Sequence, residues 1–407
     1  MHPALTPLPT RWLVIPGLLL VAAGGLLVSH NLYQTMDIRL YDESYYLTQG
    51  FFQPAGGWNA DYSPLYSLWY KFQSLFCADP VDLYYQNYRV TGMAMALMSA
   101  ALALRAGAAP GFAFYLALGF QAAYLNLPLW PKAGHFAALG TGLALAGLAA
   151  LPGKKGARLI WLSGMLVLFS WCRPEFLPGG LLAMGAGLWH YRLPQNRETG
   201  IPLWVFLPWA AVFAAGGVWG LPLGESGRAW VAFGQHLVHN YRNLEGNQTT
   251  GFLEDWVNWR ERMAVLFPGA DSPFQALQAN PVFILRHLGF NFLYFFYNSL
   301  IYCSETLFPK SVFPGSTLFW TGSALLVLEA AQGFRGWERF RREAAGLFRS
   351  HRTELLSLLM PVLLAGILFQ PRPHYLIPAY PLFVVALSRW SRGWGWPSFP
   401  GPGRSLA

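Results

Sequence analysis

Asp42 and Glu43 stand side by side in "RLYDESYYLTQGFF" (39–52), among tyrosines at 41, 45 and 46. Adjacent carboxylates repel each other, so something must hold them there. A carboxylate fixed near a membrane surface can take the proton of a hydroxyl or amine that attacks a lipid headgroup. An anionic headgroup would also need cations. Arg372 lies beside His374 and Tyr375, Lys132 follows Trp130-Pro131 with His135 a turn further, and Arg173 stands two residues before Glu175. Arg offers phosphate a bidentate fork, whereas Lys acts as a point charge. Plainer readings are open for each. Asp42 can cap a helix begun by "YDESYYL". Arg173 can form a structural ion pair with Glu175, and any base at a span end can snorkel to the interface. Glu43 can orient an acceptor or help hold a divalent cation. An Asp-Glu pair alone is too small a ligand set to assign one, so the cofactor is unknown. His236 and His239 are three apart in "FGQHLVHNYRN" and could share a helical face as metal ligands do. No third ligand lies near them in sequence, and polar residues lining a surface groove are the plainer reading.

The elements that carry these residues are hydrophobic. The chain has 407 residues, 54% hydrophobic, 16% aromatic and 12% charged. A soluble domain carries about 25% charged residues. The composition therefore predicts an all-α polytopic membrane protein with about ten spans, within about two. The candidates are 12–28, 91–108, 111–130, 133–151, 159–172, 177–190, 203–221, 313–330, 354–370 and 376–391. The first ends in "VSHNLY", which lacks a small-x-small cleavage site, so it reads as a retained span. Cys77, Cys172 and Cys303 show neither a disulfide framework nor zinc spacing and read as buried thiols.

Orientation follows from the basic segments "PGKKGAR" (152–158), "YRLPQNRE" (191–198) and "RGWERFRREAAGLFRSHR" (335–352). The positive-inside rule puts all three in the cytoplasm, together with both termini. Of the 19 acids only Glu198, Glu329, Glu338, Glu343 and Glu354 fall on that side. The net charge of +9 is then a topology signal. No basic-aromatic module supports nucleic-acid binding. Residues 1–391 read as one integral-membrane domain with outward segments at 29–90 and 222–312, and 392–407 as a cytoplasmic tail.

Within the first outward segment, Leu65, Leu68, Trp69, Phe72, Leu75 and Phe76 recur at helical spacing, with Pro64 suited to a first turn. The helix either lies in the interface plane or packs on the bundle. "LGFNFLYFFYNSLIYCSETLF" (288–308) is long enough to span, but a crossing there would flip the Arg-rich 335–352 segment outward. A helix at the outer surface is expected instead. "NQT" (247–249) has the form of a glycosylation sequon.

A long outer loop after the first span, carrying Asp42-Glu43 with Tyr46 three residues beyond the Glu, resembles the GT-C glycosyltransferases. The likeness is to their protein O-mannosyltransferase and aminoarabinose-transferase branch. "SPLY" (63–66) is similar to a Pro-Leu-Tyr element in that loop, "CRPEFLPGG" (172–180) to an Arg-Pro-Glu element, and "PRPHYLIPAYP" (371–381) to an Arg-Tyr-hydrophobic-Pro element. His374 stands where the family usually has Arg, and Arg372 lies two residues earlier. The resemblance implies a GT-C-like fold and transfer of a sugar from a polyprenyl phosphate to a lipid, glycan or protein acceptor. The expected setting is the outer, periplasmic face of a bacterial inner membrane. It implies Asp42 as the base and Glu43 beside it, with Arg372, His374, Tyr375, Lys132 and Arg173 toward the donor phosphate. Tyr46, Tyr66 and Glu175 would face substrate. Direct displacement would invert the sugar. Two rivals are a polysaccharide polymerase or ligase using late-loop bases such as Arg242, Arg260 or Arg262, and a transporter or lipid flippase.

Overall fold

The computed structural model describes residues 10–30, 32–35, 42–59, 62–122, 132–193, 198, 200–222, 228–245, 257–307, 337–369 and 372–391. Among these the fold is all-α, without a strand. The expected span at 313–330, the sequon at 247–249 and the 392–407 tail lie outside the described residues. In chain order, apart from the single turn Leu32–Thr35, the helices are α1 (Thr10–Ser29), α2 (Asp42–Phe52), α3 (Pro64–Ser74), α4 (Pro80–Arg105), α5 (Pro110–Ala122), α6 (Ala133–Ala150), α7 (Lys155–Phe169) and α8 (Phe176–Arg192). They continue with α9 (Leu207–Trp219), α10 (Arg228–Glu245), α11 (Trp259–Leu266), α12 (Pro273–Ala279), α13 (Pro281–Leu307), α14 (Trp337–Leu364), α15 (Pro373–Leu376) and α16 (Tyr380–Ser391).

Among the described residues three stretches are long and apolar enough to cross a membrane: Val14–Gln34, Ala133–Ala150 and Phe348–Phe369. Leu203–Trp219 and Ile377–Arg389 are apolar but shorter. Two helices begin earlier than hydropathy predicts. The Asp79 side chain caps α4, accepting from the amides of Val81 and Asp82, and Pro80 fits the first turn. The opening turns of α4 are thus the polar "DLYYQNYR" rather than an apolar run. Pro281 likewise starts α13 seven residues ahead of the expected 288. Helix α14 breaks from helical geometry at His351 and ends in a π-helical turn, Ala365–Phe369.

Small residues let the central helices approach closely. On α6, Gly140 lies under Phe169, Gly142 under Met98 and Gly147 under Trp161, so a Cβ at any of the three would collide. The Trp161 indole also donates to the Ala144 carbonyl at 3.1 Å. Outward, the helices expose large apolar side chains, among them Leu19, Leu27, Leu188, Trp189 and Phe213.

Polar contacts gather at two opposite ends of the bundle. At one, Arg105 reaches the Ala149 carbonyl, Lys154 reaches that of Gly200, and Glu198 accepts from the Gly156 and Ala157 amides that open α7. Arg158 and His351 meet Glu354 there too. At the other, Arg89 bonds Ser29, Ser63 bonds Cys172, Trp219 bonds Ala55 and Trp171 bonds Gly220. Each end collects loops that the charge pattern assigns to one side. The segment expected to face outward second, 222–312, builds its own core from Phe233, Leu237, Trp259, Met263, Phe267, Phe283 and Ile284. Its α13 packs along α5 and the π-helical turn.

Candidate functional site

Helix α2 opens with both acids in its first turn, so a helix does start at Asp42. A helical step of about 100° sends neighbouring side chains in different directions. Asp42 is exposed, while Glu43 is 5% exposed. Glu43 Oε1 accepts from the hydroxyls of Tyr66 and Tyr70 and, at 3.1 Å, from Asn87 Nδ2. Its Oε2 accepts the backbone N–H of Lys132 at 2.6 Å. Four donors from three segments therefore converge on one carboxylate. Asn87 locks the knot: Nδ2 also approaches the Tyr66 and Tyr70 oxygens at 2.7 and 2.9 Å, and Oδ1 accepts from Trp69 and Gln73.

Burial dominates the electrostatics of this knot. It pushes Glu43 above the ordinary carboxylate range, although the two tyrosines and Lys132 pull the other way. It pushes Lys132 down to about 7, against the attraction of Glu43. Both phenols are held well above their usual value by burial and by the neighbouring carboxylate. The Lys132 ammonium sits 4.9 Å from the centre of the Tyr88 ring. His135, a turn further, is fully buried with its ring against Phe120.

A second cluster forms around Tyr375, at the start of the last helices. The Arg173 guanidinium lies over the Tyr375 ring, Cζ 5.1 Å from its centre. Arg173 also pairs with Glu175 at 3.1 Å, so the ion pair expected as an alternative is present. Burial is the largest single influence and opposes its charge, but Glu175, Tyr375 and Tyr46 together outweigh it and keep the guanidinium protonated. Burial raises the Tyr375 phenol above its ordinary pKa; Arg173 and Arg372 favour its ionisation, and Glu175 and Asp42 oppose it. Asp42 thus stands within electrostatic reach of the same phenol as both arginines. Arg372 is half-buried, and desolvation lowers its pKa. Tyr46 is buried, meets Tyr66 edge-to-face at 5.4 Å, and adds to the field on Arg173.

The structure therefore sorts the expected residues into two adjoining groups. Arg173, Glu175 and Tyr375 are in contact, and the charges or dipoles of Asp42, Tyr46 and Arg372 act on that cluster. Glu43, Tyr66 and Lys132 form the buried knot one residue away. Tyr66 commits its hydroxyl to Glu43, and the Lys132 side chain lies toward Tyr88. Of His374 the structure describes the backbone, in α15. Cys172 links the groups: its carbonyl accepts from Ser63 and its thiol approaches the Ala133 carbonyl. Cys77 is half-buried.

Sequence reasoning missed Tyr70 and Asn87, which carry no motif. It also missed the role of His236, whose Nε2 lies 3.0 Å from the Tyr375 hydroxyl. Among the described residues no group of three or more His, Cys, Asp and Glu side chains is placed to hold a metal. No protein-family model, curated protein or solved structure matches the chain.

Proposed function

We propose that this protein is a membrane glycosyltransferase that moves a sugar from a polyprenyl-phosphate donor to a lipid, glycan or protein acceptor. The reading includes a GT-C-like bundle of about ten spans. Its site faces the periplasmic side of a bacterial inner membrane, with both termini cytoplasmic. One observation carries it: the charges of an exposed carboxylate from the first outward loop and of two arginines from distant chain segments all act on the Tyr375 phenol, with Arg173 directly over its ring. That pairs a base with a fixed positive field, as transfer from a phosphate requires. The apolar side chains exposed along the helices suit a lipid environment.

In the reaction the acceptor O–H or N–H attacks the anomeric carbon. Its proton passes to the Asp42 carboxylate. The bond between the anomeric carbon and the phosphate oxygen breaks, and its electron pair leaves on the polyprenyl phosphate. Arg173 and Arg372 face that growing charge, and attack opposite the leaving group inverts the sugar. Glu43 keeps α2 in place, and so aims Asp42, by tying it to α3, α4 and the loop before α6.

The test is release of polyprenyl phosphate by purified protein in nanodiscs. It uses a panel of polyprenyl-phosphate sugars with a membrane-lipid extract as acceptor. Wild type should release the lipid phosphate, and Asp42→Asn should lose about 100-fold or more of that rate, the usual worth of a general base. Equal release by both proteins would remove Asp42 from the chemistry.

A further inference from the structure

Nothing in that reaction uses the second outward segment, yet the segment reaches the site. His236 of α10 sets Nε2 3.0 Å from the Tyr375 hydroxyl, and the two rings meet edge-to-face with centres 5.9 Å apart. The same Tyr375 ring carries the Arg173 guanidinium. Helix α10 also joins the apolar core of its own segment through Phe233 and Leu237.

Apolar contact alone does not hold α10 in this position. One turn beyond His236, Asn240 donates to Asn291 Oδ1 at 2.6 Å and lies 3.3 Å from His287 Nδ1, both on α13. Asn291 donates in turn to the carbonyls of Ile367 and Phe369 at 2.8 and 3.0 Å. His287 Nε2 meets the Leu368 carbonyl at 3.1 Å. Those carbonyls belong to the π-helical turn that leads to Arg372. Asn240, His287 and Asn291 are all fully buried. Burying polar side chains is costly unless their partners are in place, so such a chain of bonds selects one register where apolar packing would tolerate several. The selected register sets His236 against Tyr375.

We infer that His236 is a positioning residue for an anionic lipid phosphate. Its imidazole fixes the Tyr375 phenol, and the fixed phenol ring holds the Arg173 guanidinium toward the phosphate. The inference rests on the lipid-phosphate reading of the site. It gives the second outward segment a part in donor binding and replaces a metal role for His236 and His239.

The test measures binding of a sugar-free polyprenyl phosphate by the full-length protein in nanodiscs, beside the thermal midpoint of each variant. His236→Ala should bind about tenfold more weakly or worse, with its midpoint near that of wild type. His236→Gln presents a side-chain amide at about the reach of the imidazole Nε2 and should stay within about threefold of wild type. Tyr375→Phe should match His236→Ala, and the double variant should be no weaker than either, because all three break one link. Should His236→Ala fail to fold, Tyr375→Phe, which loses a single oxygen, carries the test. Wild-type affinity in His236→Ala or Tyr375→Phe would overturn the inference and leave the glycosyltransferase reading standing. So would a Gln variant as weak as Ala. A wild-type protein that binds no polyprenyl phosphate would sink both.

Discussion

Two neighbouring carboxylates have opposite fates, and the difference comes from the helix they begin. Asp42 faces outward, while Glu43 is enclosed by donors from Tyr66, Tyr70, Asn87 and Lys132. Removing an acceptor from a buried network strands every donor, at a cost of about 3 kcal/mol. Glu43→Ala should therefore lower the thermal midpoint in detergent by several degrees, whereas Asp42→Asn should leave it within about a degree. Equal midpoints for the two would show that the knot contributes nothing. Lys132 gives a pH signature. The folded protein holds its proton only up to about 7, while an unfolded lysine keeps it to about 10.4. Between those values unfolding takes up a proton, so stability rises with pH. The wild-type midpoint should climb between about pH 7 and 9, and Lys132→Met should remove the climb, as a melting series at several pH values would read. At this scale the sequence marked the chemistry but not its division. That Asp42 and Glu43 are both acids is plain from the chain. Which of them is enclosed depends on Tyr66, Tyr70, Asn87 and Lys132, which lie up to 89 residues away and follow no local pattern.

Helix α3 is turned inside out. Its polar and aromatic side chains Tyr66, Ser67, Tyr70 and Gln73 are buried, while Phe72, Leu75 and Phe76 at its end are 52%, 72% and 73% exposed. The apolar stripe in the sequence thus marks an outward face, the arrangement of a helix bedded in a bilayer interface. A nitroxide at Phe72→Cys in nanodiscs should be relaxed more strongly by oxygen than by a water-soluble nickel chelate. The reverse order would make α3 an ordinary packed helix. The periodicity and Pro64 made this helix legible, and periodicity alone could not say which face points inward. The early start of α13 was hidden for another reason. Arg286 and His287 interrupt the apolar run, and a hydropathy window rejects such residues. In the fold His287 is satisfied by a backbone carbonyl of the π-helical turn, which no window can see. The reach of Gly50 is similar. A Cβ there would strike the Ser67 carbonyl and Tyr70, so this glycine sets how closely α2 approaches α3.

Across the whole molecule the loops gather at two ends. Loops read as inward meet at one end of the bundle, and loops read as outward meet at the other. Gly57 and Lys155 are exposed at opposite ends. In whole cells or right-side-out vesicles a membrane-impermeant maleimide should label Gly57→Cys directly, and Lys155→Cys only after permeabilisation. Labelling of both from one side would dismiss the bundle as a spanning domain. The expectation of two sides rests on composition. The meeting of α10 with Tyr375 was not legible, because it joins residues 139 apart through hydrogen bonds. The π-helical turn at Ala365–Phe369 carries a consequence for descent by insertion and deletion. Such a turn holds one residue more than the α-helix it replaces. Deleting that residue would rotate everything beyond it by about 100° and swing Arg372 and Tyr375 off the axis of Asp42. In this stretch the count of residues sets the phase of the site as much as their identity does, so the loss of a single codon would misplace the site even where every remaining side chain was kept.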